Sequence, residues 1–173
     1  PVGAFTLSNG LETYVQKNLI ASPEELAAYL RSYISVLPYN ELGAAALAYR
    51  AKEQELIRLD AVYSASKVPY EIRSGSEKVT RRFFKICDKG ADSFTGQYKT
   101  LIENGICKGH QCIAYGLYMR DNSVSLSQGL AVYGYSICSA IVTNCVKLVP
   151  LSQLSGQKIL NESFALISKA AEK

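Results

Sequence analysis

Three features of this 173-residue chain predict an all-α fold: apolar residues recurring three and four apart, plain helix start and stop signals, and no alternating strand run bounded by hairpin turns. With 48% apolar residues the chain can fill a core without disulfides or metals. Residues 1–173 are therefore expected to form a single domain without a linker or internal repeat. The expected architecture is a bundle of about seven or eight helices with a long apolar central helix.

Ser22-Pro23-Glu24-Glu25 marks the first clear helix start, with an N-cap serine, a proline at the first helical position and two acids where the helix dipole favours negative charge. That helix should run to about Leu37, before Pro38, with Leu26, Tyr29, Leu30, Tyr33, Ile34 and Leu37 on one stripe. From Glu41 to about Ser64 the chain is rich in Ala, Leu, Glu, Lys and Arg and reads as one longer helix, with Gly43 its local weakness. Pro69 opens a third segment that should end near Asp88 to Gly90. It turns Ile72, Val79, Phe83, Phe84 and Ile86 inward and Arg73, Glu77, Lys78, Arg81 and Arg82 outward. Shorter helices follow around Ser93 to Glu103 and Gln111 to Arg120, then a long apolar one from about Ser125 to Leu148, stopped by Pro150. The last helix, about Ser152 to Ala171, spaces Ile159, Leu160, Phe164, Leu166 and Ile167 helically.

The formal charge of +4, from 19 basic and 15 acidic residues, reads as small and scattered, which sets nucleic acid aside as a partner. Five cysteines, at 87, 107, 112, 138 and 145, lack the dense spacing of a disulfide scaffold and read as reduced thiols of a cytoplasmic protein. The chain begins at Pro1 and is expected to be trimmed at its N-terminus. From Asn122 to Val146 no residue is charged, which raises the question of a membrane span. Interspersed Ser, Gln, Gly, Thr and Asn favour a buried helix of the bundle instead, and no membrane partner is expected.

Candidate chemistry is sparse. His110 is the one histidine, so the residue that most often moves protons or binds nickel and zinc is nearly absent. It lies in Cys107-Lys108-Gly109-His110-Gln111-Cys112, where two thiolates and an imidazole could hold a soft metal if Glu103 or a partner chain completed the set. The plainer reading is a loop leading into a helix, with Cys112 packed as a small hydrophobe. Cys138 and Cys145, seven apart, share a face of the long helix and could pass a soft metal, yet packing explains them as well. A Cys112 hydrolase is discounted because His110 is too near in sequence to make a dyad with it. Lys78, Arg81, Arg82 and Lys85 could grip phosphate or an acidic partner, although a solvated helix face is the usual meaning of such a run. No phosphate loop of the Walker kind is present, so binding of GTP or ATP by the chain itself is not expected. Twelve tyrosines hint at assembly.

The opening Pro1-Val2-Gly3-Ala4-Phe5-Thr6-Leu7-Ser8-Asn9-Gly10-Leu11-Glu12 resembles the N-terminal signature of the UreF family of urease accessory proteins. Asn144-Cys145-Val146-Lys147-Leu148-Val149-Pro150-Leu151-Ser152-Gln153 and Ser155-Gly156-Gln157-Lys158-Ile159-Leu160 resemble that family's later motif almost position for position. Glu71-Ile72-Arg73, Arg81-Arg82-Phe83, Gly109-His110 and Tyr115-Gly116 resemble its middle positions. Leu7 departs from it, standing where members often carry a histidine or another ring, and the chain is expected to be trimmed at its C-terminus too.

The resemblance implies an all-helical protein without a catalytic site or tightly bound cofactor. Such a protein dimerises, binds UreD (also called UreH), and with it recruits the GTPase UreG, so that nickel handled by the complex reaches the urease apoprotein. By the same resemblance Glu12 and Lys147 are expected to make charged partner contacts, with Phe5, Gln153 and Gln157 also at the interface. Pro1, Gly3, Gly10, Pro150 and Gly156 are expected to shape the backbone, the last two together with Gln157 at the break between the final helices. The alternative is a nickel-binding metallochaperone that uses Cys107, His110 and Cys112 itself.

Overall fold

The computed structural model describes residues 10–173. These fold as α1 (Leu11–Gln16), α2 (Pro23–Val36), a 3-10 turn (Leu37–Tyr39), α3 (Glu41–Arg50), α4 (Glu53–Ser66), α5 (Tyr70–Ile86), α6 (Phe94–Glu103), α7 (Gln111–Asp121), α8 (Leu126–Leu148), α9 (Gln153–Glu162) and α10 (Phe164–Ala171). Among the described residues there is no strand, so the all-α class forms as the periodicity predicts. The helices outnumber the expected seven or eight because two predicted helices are each divided and α1 was not foreseen.

Both divisions have local causes. The helix expected from Glu41 to Ser64 breaks where Ala51 and Lys52 turn extended, at ψ 145° and 168°. Glu55 then caps a new start by accepting the N–H of Lys52 at 2.8 Å, and the Ala51 carbonyl accepts the Arg120 guanidinium of α7 at 2.9 Å. Good helix formers on both sides hide this break, because propensity does not register a distant arginine. The helix expected from Ser152 to Ala171 breaks at buried Ser163, whose hydroxyl donates back to the Ile159 carbonyl at 2.8 Å, a bond that bends helices. As a result Phe164 and Leu166, though helically spaced with Ile167, are 55% and 41% exposed, and of these three only Ile167 is fully buried. Ile86 is likewise exposed, 61%, because it ends α5 where no neighbouring helix covers it.

The predicted start of α2 forms a capping box. Ser22 Oγ accepts the Glu25 N–H at 3.2 Å, and Glu25 Oε2 accepts the N–H groups of Ser22 and Ala21 at 3.0 and 2.8 Å. Leu26, Leu30 and Ile34 then face inward together.

The densest packing lies between α3 and α7. Ala44, Ala45 and Ala48 of α3 are buried, and α7 buries Cys112, Ile113, Ala114, Gly116, Leu117 and Met119, apolar nearly all round. Gly116 permits the approach, since a Cβ there would lie 2.2 Å from the Ala45 carbonyl oxygen. The far end of α7 fastens α6: Asp121 accepts the N–H groups of Phe94 and Thr95 at 3.0 and 2.9 Å, a carboxylate at a helix N-terminus. Arg120 stacks over the Phe94 ring at 3.5 Å.

The long apolar helix α8 packs against α10, α9, α3 and α2. It is the one helix among the described residues long and apolar enough to cross a membrane, and half of its most apolar window is buried against its neighbours. Cys138 and Cys145 are fully buried in that packing, and burial pushes the Cys138 thiol up to about 12.

The α3–α7 seam predicts an order of sensitivity in urea unfolding followed by circular dichroism. Gly116→Ala should lose about 1–3 kcal/mol through overpacking. Gly10→Ala should lose only about 1 kcal/mol, from its left-handed backbone at φ 90° with open space around it.

Candidate partner interface

Asp60, 2% exposed, is a carboxylate that needs internal partners. It lies on α4 in the same buried stripe as Leu56 and Tyr63. The Tyr98 hydroxyl donates to its Oδ2 at 2.6 Å, and the N–H groups of Lys108 and Gly109 donate to Oδ1 and Oδ2 at 2.7 and 3.0 Å. The Tyr98 oxygen accepts the His110 N–H at 3.0 Å. Burial and the Asp60 charge push the Tyr98 hydroxyl well above its ordinary pKa, which keeps it a donor. Charge-assisted bonds of this kind fix the connection from α6 to α7, and Gly109 follows because its φ of 94° suits glycine.

His110 is fully buried. Its Nε2 pairs with Ser64 Oγ at 2.7 Å, its Nδ1 with Ser76 Oγ at 3.1 Å, and its ring meets Tyr63 edge-on with centroids 5.0 Å apart. Burial lowers its pKa below the usual 6.5, against the pull of Asp60 and with help from Lys67. Both ring nitrogens of the neutral side chain therefore have hydroxyl partners, and α4, α5 and α7 are tied through one residue. Cys107 and Cys112 are 3% and 2% exposed, and burial pushes both thiols up to about 12. Glu103, considered as a further ligand, lies exposed at the end of α6. Among the described residues no group of three or more His, Cys, Asp or Glu side chains could hold a metal ion, so Cys107, His110 and Cys112 are not brought together as a ligand set. Protonated, buried thiols equally lack the thiolate that a nucleophile requires.

Residues of the later motif come together on the surface instead. A cleft of ≈ 260 Å³ between α8 and α9 is lined by Lys147, Gln153 and Gln157, with Ser139, Thr143 and Val146. Gly156 makes it possible: a Cβ there would meet Val146 Cγ2 at 2.8 Å and Val142 Cγ1 at 3.0 Å. Its part is thus to let α9 lie close on α8, whereas the break between them is made by Pro150, which forces Val149 into the extended region at ψ 143°. Ser152 caps α9 by accepting the Ser155 N–H at 3.0 Å, and Gln157 Nε2 donates to Asn161 Oδ1 at 2.8 Å. Lys147 is exposed in the last turn of α8, where the helix dipole favours a cation. Beside the cleft Leu148 and Leu154 are 43% and 80% exposed, apolar groups that the motif reading passed over.

Glu12 is exposed on α1 and is not among the residues lining this cleft. Gly10 caps α1 with a φ of 90°, as its expected backbone role requires. Pro1, Gly3, Phe5 and Leu7 lie outside the described residues. Asp60 and Tyr98 were missed by sequence reasoning; the available signal was a lone carboxylate on the apolar stripe of α4, four residues from Leu56 and three from Tyr63.

Two outcomes follow for the buried network. Asp60→Ala leaves three donors without an acceptor and should cost about 3–5 kcal/mol in urea unfolding, against about 1–3 kcal/mol for Tyr98→Phe. Because His110 binds its proton more weakly folded than unfolded, the unfolded state holds more protons, and stability should fall as pH drops below the usual 6.5. Unfolding midpoints measured from pH 8 down to pH 5 should show that decline, flattened in His110→Gln.

The UreF family profile matches residues 20–164 of this chain. The urease accessory protein UreF of Actinobacillus pleuropneumoniae serotype 5b (strain L20) is 33% identical over 178 residues, covering 99% of this chain and 77% of that protein. The UreF protein of Bacillus sp. (strain TB-90) is 32% identical over 175 residues, 98% of this chain and 77% of that one. That of Arthrobacter sp. (strain FB24) is 28% identical over 178 residues, with coverage of 100% and 77%. A family match across most of the described residues, joined to an all-helical fold that displays the later motif on one cleft, establishes that this chain belongs to the UreF family of urease accessory proteins.

Proposed function

We propose that the chain is a cytoplasmic maturation scaffold that binds UreD (UreH) and recruits the GTPase UreG, coupling its GTP cycle to nickel delivery into the urease apoprotein. The observation that carries this reading is the α8–α9 cleft, which presents Lys147, Gln153 and Gln157 at the surface beside exposed Leu148 and Leu154. An apolar anchor with a rim of amides and one cation is the make-up of a protein interface. On this reading the protein works as a dimer, has no catalytic centre of its own, and handles nickel only as cargo of the complex.

A scaffold that links nucleotide state to metal release acts through contacts that differ between the two states of its partner. Ligands of its own are not required for that. The metallochaperone alternative gains no support from Cys107, His110 and Cys112, whose polar atoms serve internal packing and hydrogen bonds.

The test is UreG GTPase activity and urease activation with wild-type chain, Glu12→Ala, Lys147→Ala and Leu154→Asp, each first checked for fold by circular dichroism. Lys147→Ala should weaken partner binding about fivefold and Leu154→Asp at least about tenfold, with activation falling in parallel. Wild-type activation by all three variants would remove the cleft and Glu12 from the interface.

A further inference from the structure

The formal charge of +4 reads as scattered along the sequence, yet the fold gathers it. Residues 78–89 contain Lys78, Arg81, Arg82, Lys85 and Lys89 against the single acid Asp88, a net of four, so the remaining residues balance to zero. α5 buries Gly75, Val79, Thr80, Phe83 and Phe84, which turns Lys78, Arg81, Arg82 and Lys85 outward; these four and Lys89, three residues past the helix end, are all exposed. Among the described residues Arg81 pairs weakly with Glu77 at 3.8 Å, while Lys78, Arg82 and Lys85 take part in no ion pair. Lys89 is held in place, donating to Asn122 Oδ1 at 2.5 Å and lying over the Tyr118 ring at 5.4 Å. Lys99 of α6 joins the edge of the patch through Asp88 at 3.9 Å. In the middle stands Ile86, 61% exposed, one turn beyond Arg82.

We propose that the outward face of α5 from Lys78 to Ile86, continued by Lys89 just past the helix end, is a second docking surface, for a partner protein that presents clustered carboxylates around a small apolar pocket. The inference rests on the scaffold reading and adds to it a face remote in sequence from the α8–α9 motif. Charge complementarity argues for it: a neutral body with its whole excess on one stripe, whose helical part from Lys78 to Ile86 is about 12 Å long, orients toward an acidic surface before contact. Ile86 supplies the apolar contact that holds the encounter once made. Glu71 and Glu77 on the same helix, and an overall pI of 8.8, fit a protein surface better than a polyphosphate backbone. One exposed isoleucine gives little hold in a lipid surface.

The experiment measures association of the full chain with UreD and with UreG by surface plasmon resonance, at about 50 and about 300 mM salt. Lys78→Gln/Arg82→Gln/Lys85→Gln is compared with a control of equal charge loss at distant exposed sites, Lys17→Gln/Arg31→Gln/Lys173→Gln. For at least one partner, the α5 variant should associate about tenfold more slowly at low salt, with a flattened salt dependence and a dissociation rate changed far less. The control should slow by less than about twofold. Charge-retaining Lys78→Arg/Lys85→Arg should keep the wild-type rate. Equal slowing by both neutralised variants, or by neither, overturns the proposal while leaving the scaffold intact. Failure of the wild-type chain to bind either partner removes the scaffold and this face together. Phosphatidylserine vesicles and a short DNA duplex are run alongside; wild-type binding to either that the α5 variant loses, with protein association unchanged, also overturns it.

Discussion

The hydrogen bonds that converge on Asp60 are the constraint on which the rest of the structure depends. A buried carboxylate is tolerated only when donors surround it, and here they come from Tyr98 on α6 and from the backbone of the connection to α7. Once that connection is fixed, α7 starts at a defined point with His110 as its N-terminal neighbour, and the imidazole reaches Ser64 on α4 and Ser76 on α5. The placement of α7 then sets the α3–α7 seam, in which Gly116 lies against Ala45 with no room for a side chain. At its other end Asp121 and Arg120 hold the start of α6. One buried polar cluster thus fixes the register of four helices.

That arrangement puts Cys107, His110 and Cys112, where the sequence most suggests a metal, into the packing, and among the described residues they form no ligand set. Cys107, His110 and Cys112 are inside, protonated or hydrogen-bonded, and serve the fold. Function in an accessory protein is then a matter of surfaces. The α8–α9 cleft is the surface proposed for that role, and it exists because Gly156 allows close approach while Pro150 and Ser152 reset the chain between the two helices.

Much of the helical skeleton was legible in the sequence because it rests on local signals: the Ser22 cap, Pro38, Pro69, Pro150 and the three-and-four spacing of Leu26, Leu30 and Ile34. The divisions at Ala51 and Ser163 were not, since one depends on Arg120 reaching across from α7 and the other on a serine hydroxyl turning back on its own helix. Asp60 was passed over for the same reason: its partners lie far along the chain, and nothing nearby announces them. The exposed Ile86, Phe164 and Leu166 followed the helical period faithfully, but period says which face a residue occupies and not whether another helix covers it. Motif matching, by contrast, picked out Lys147, Gln153 and Gln157, which the fold brings to one cleft, while Glu12 stands apart from it.

The central claim is that this UreF protein acts through its surface and that the Cys107 to Cys112 stretch serves only the interior. Hydrogen exchange on the full chain, alone, with UreD and UreG, and with nickel, tests it most directly. The account predicts slower exchange across residues 142–160 when the partners bind, and no change at residues 107–112 on adding nickel. Nickel-dependent protection confined to residues 107–112, with residues 142–160 unaffected by either partner, would contradict it.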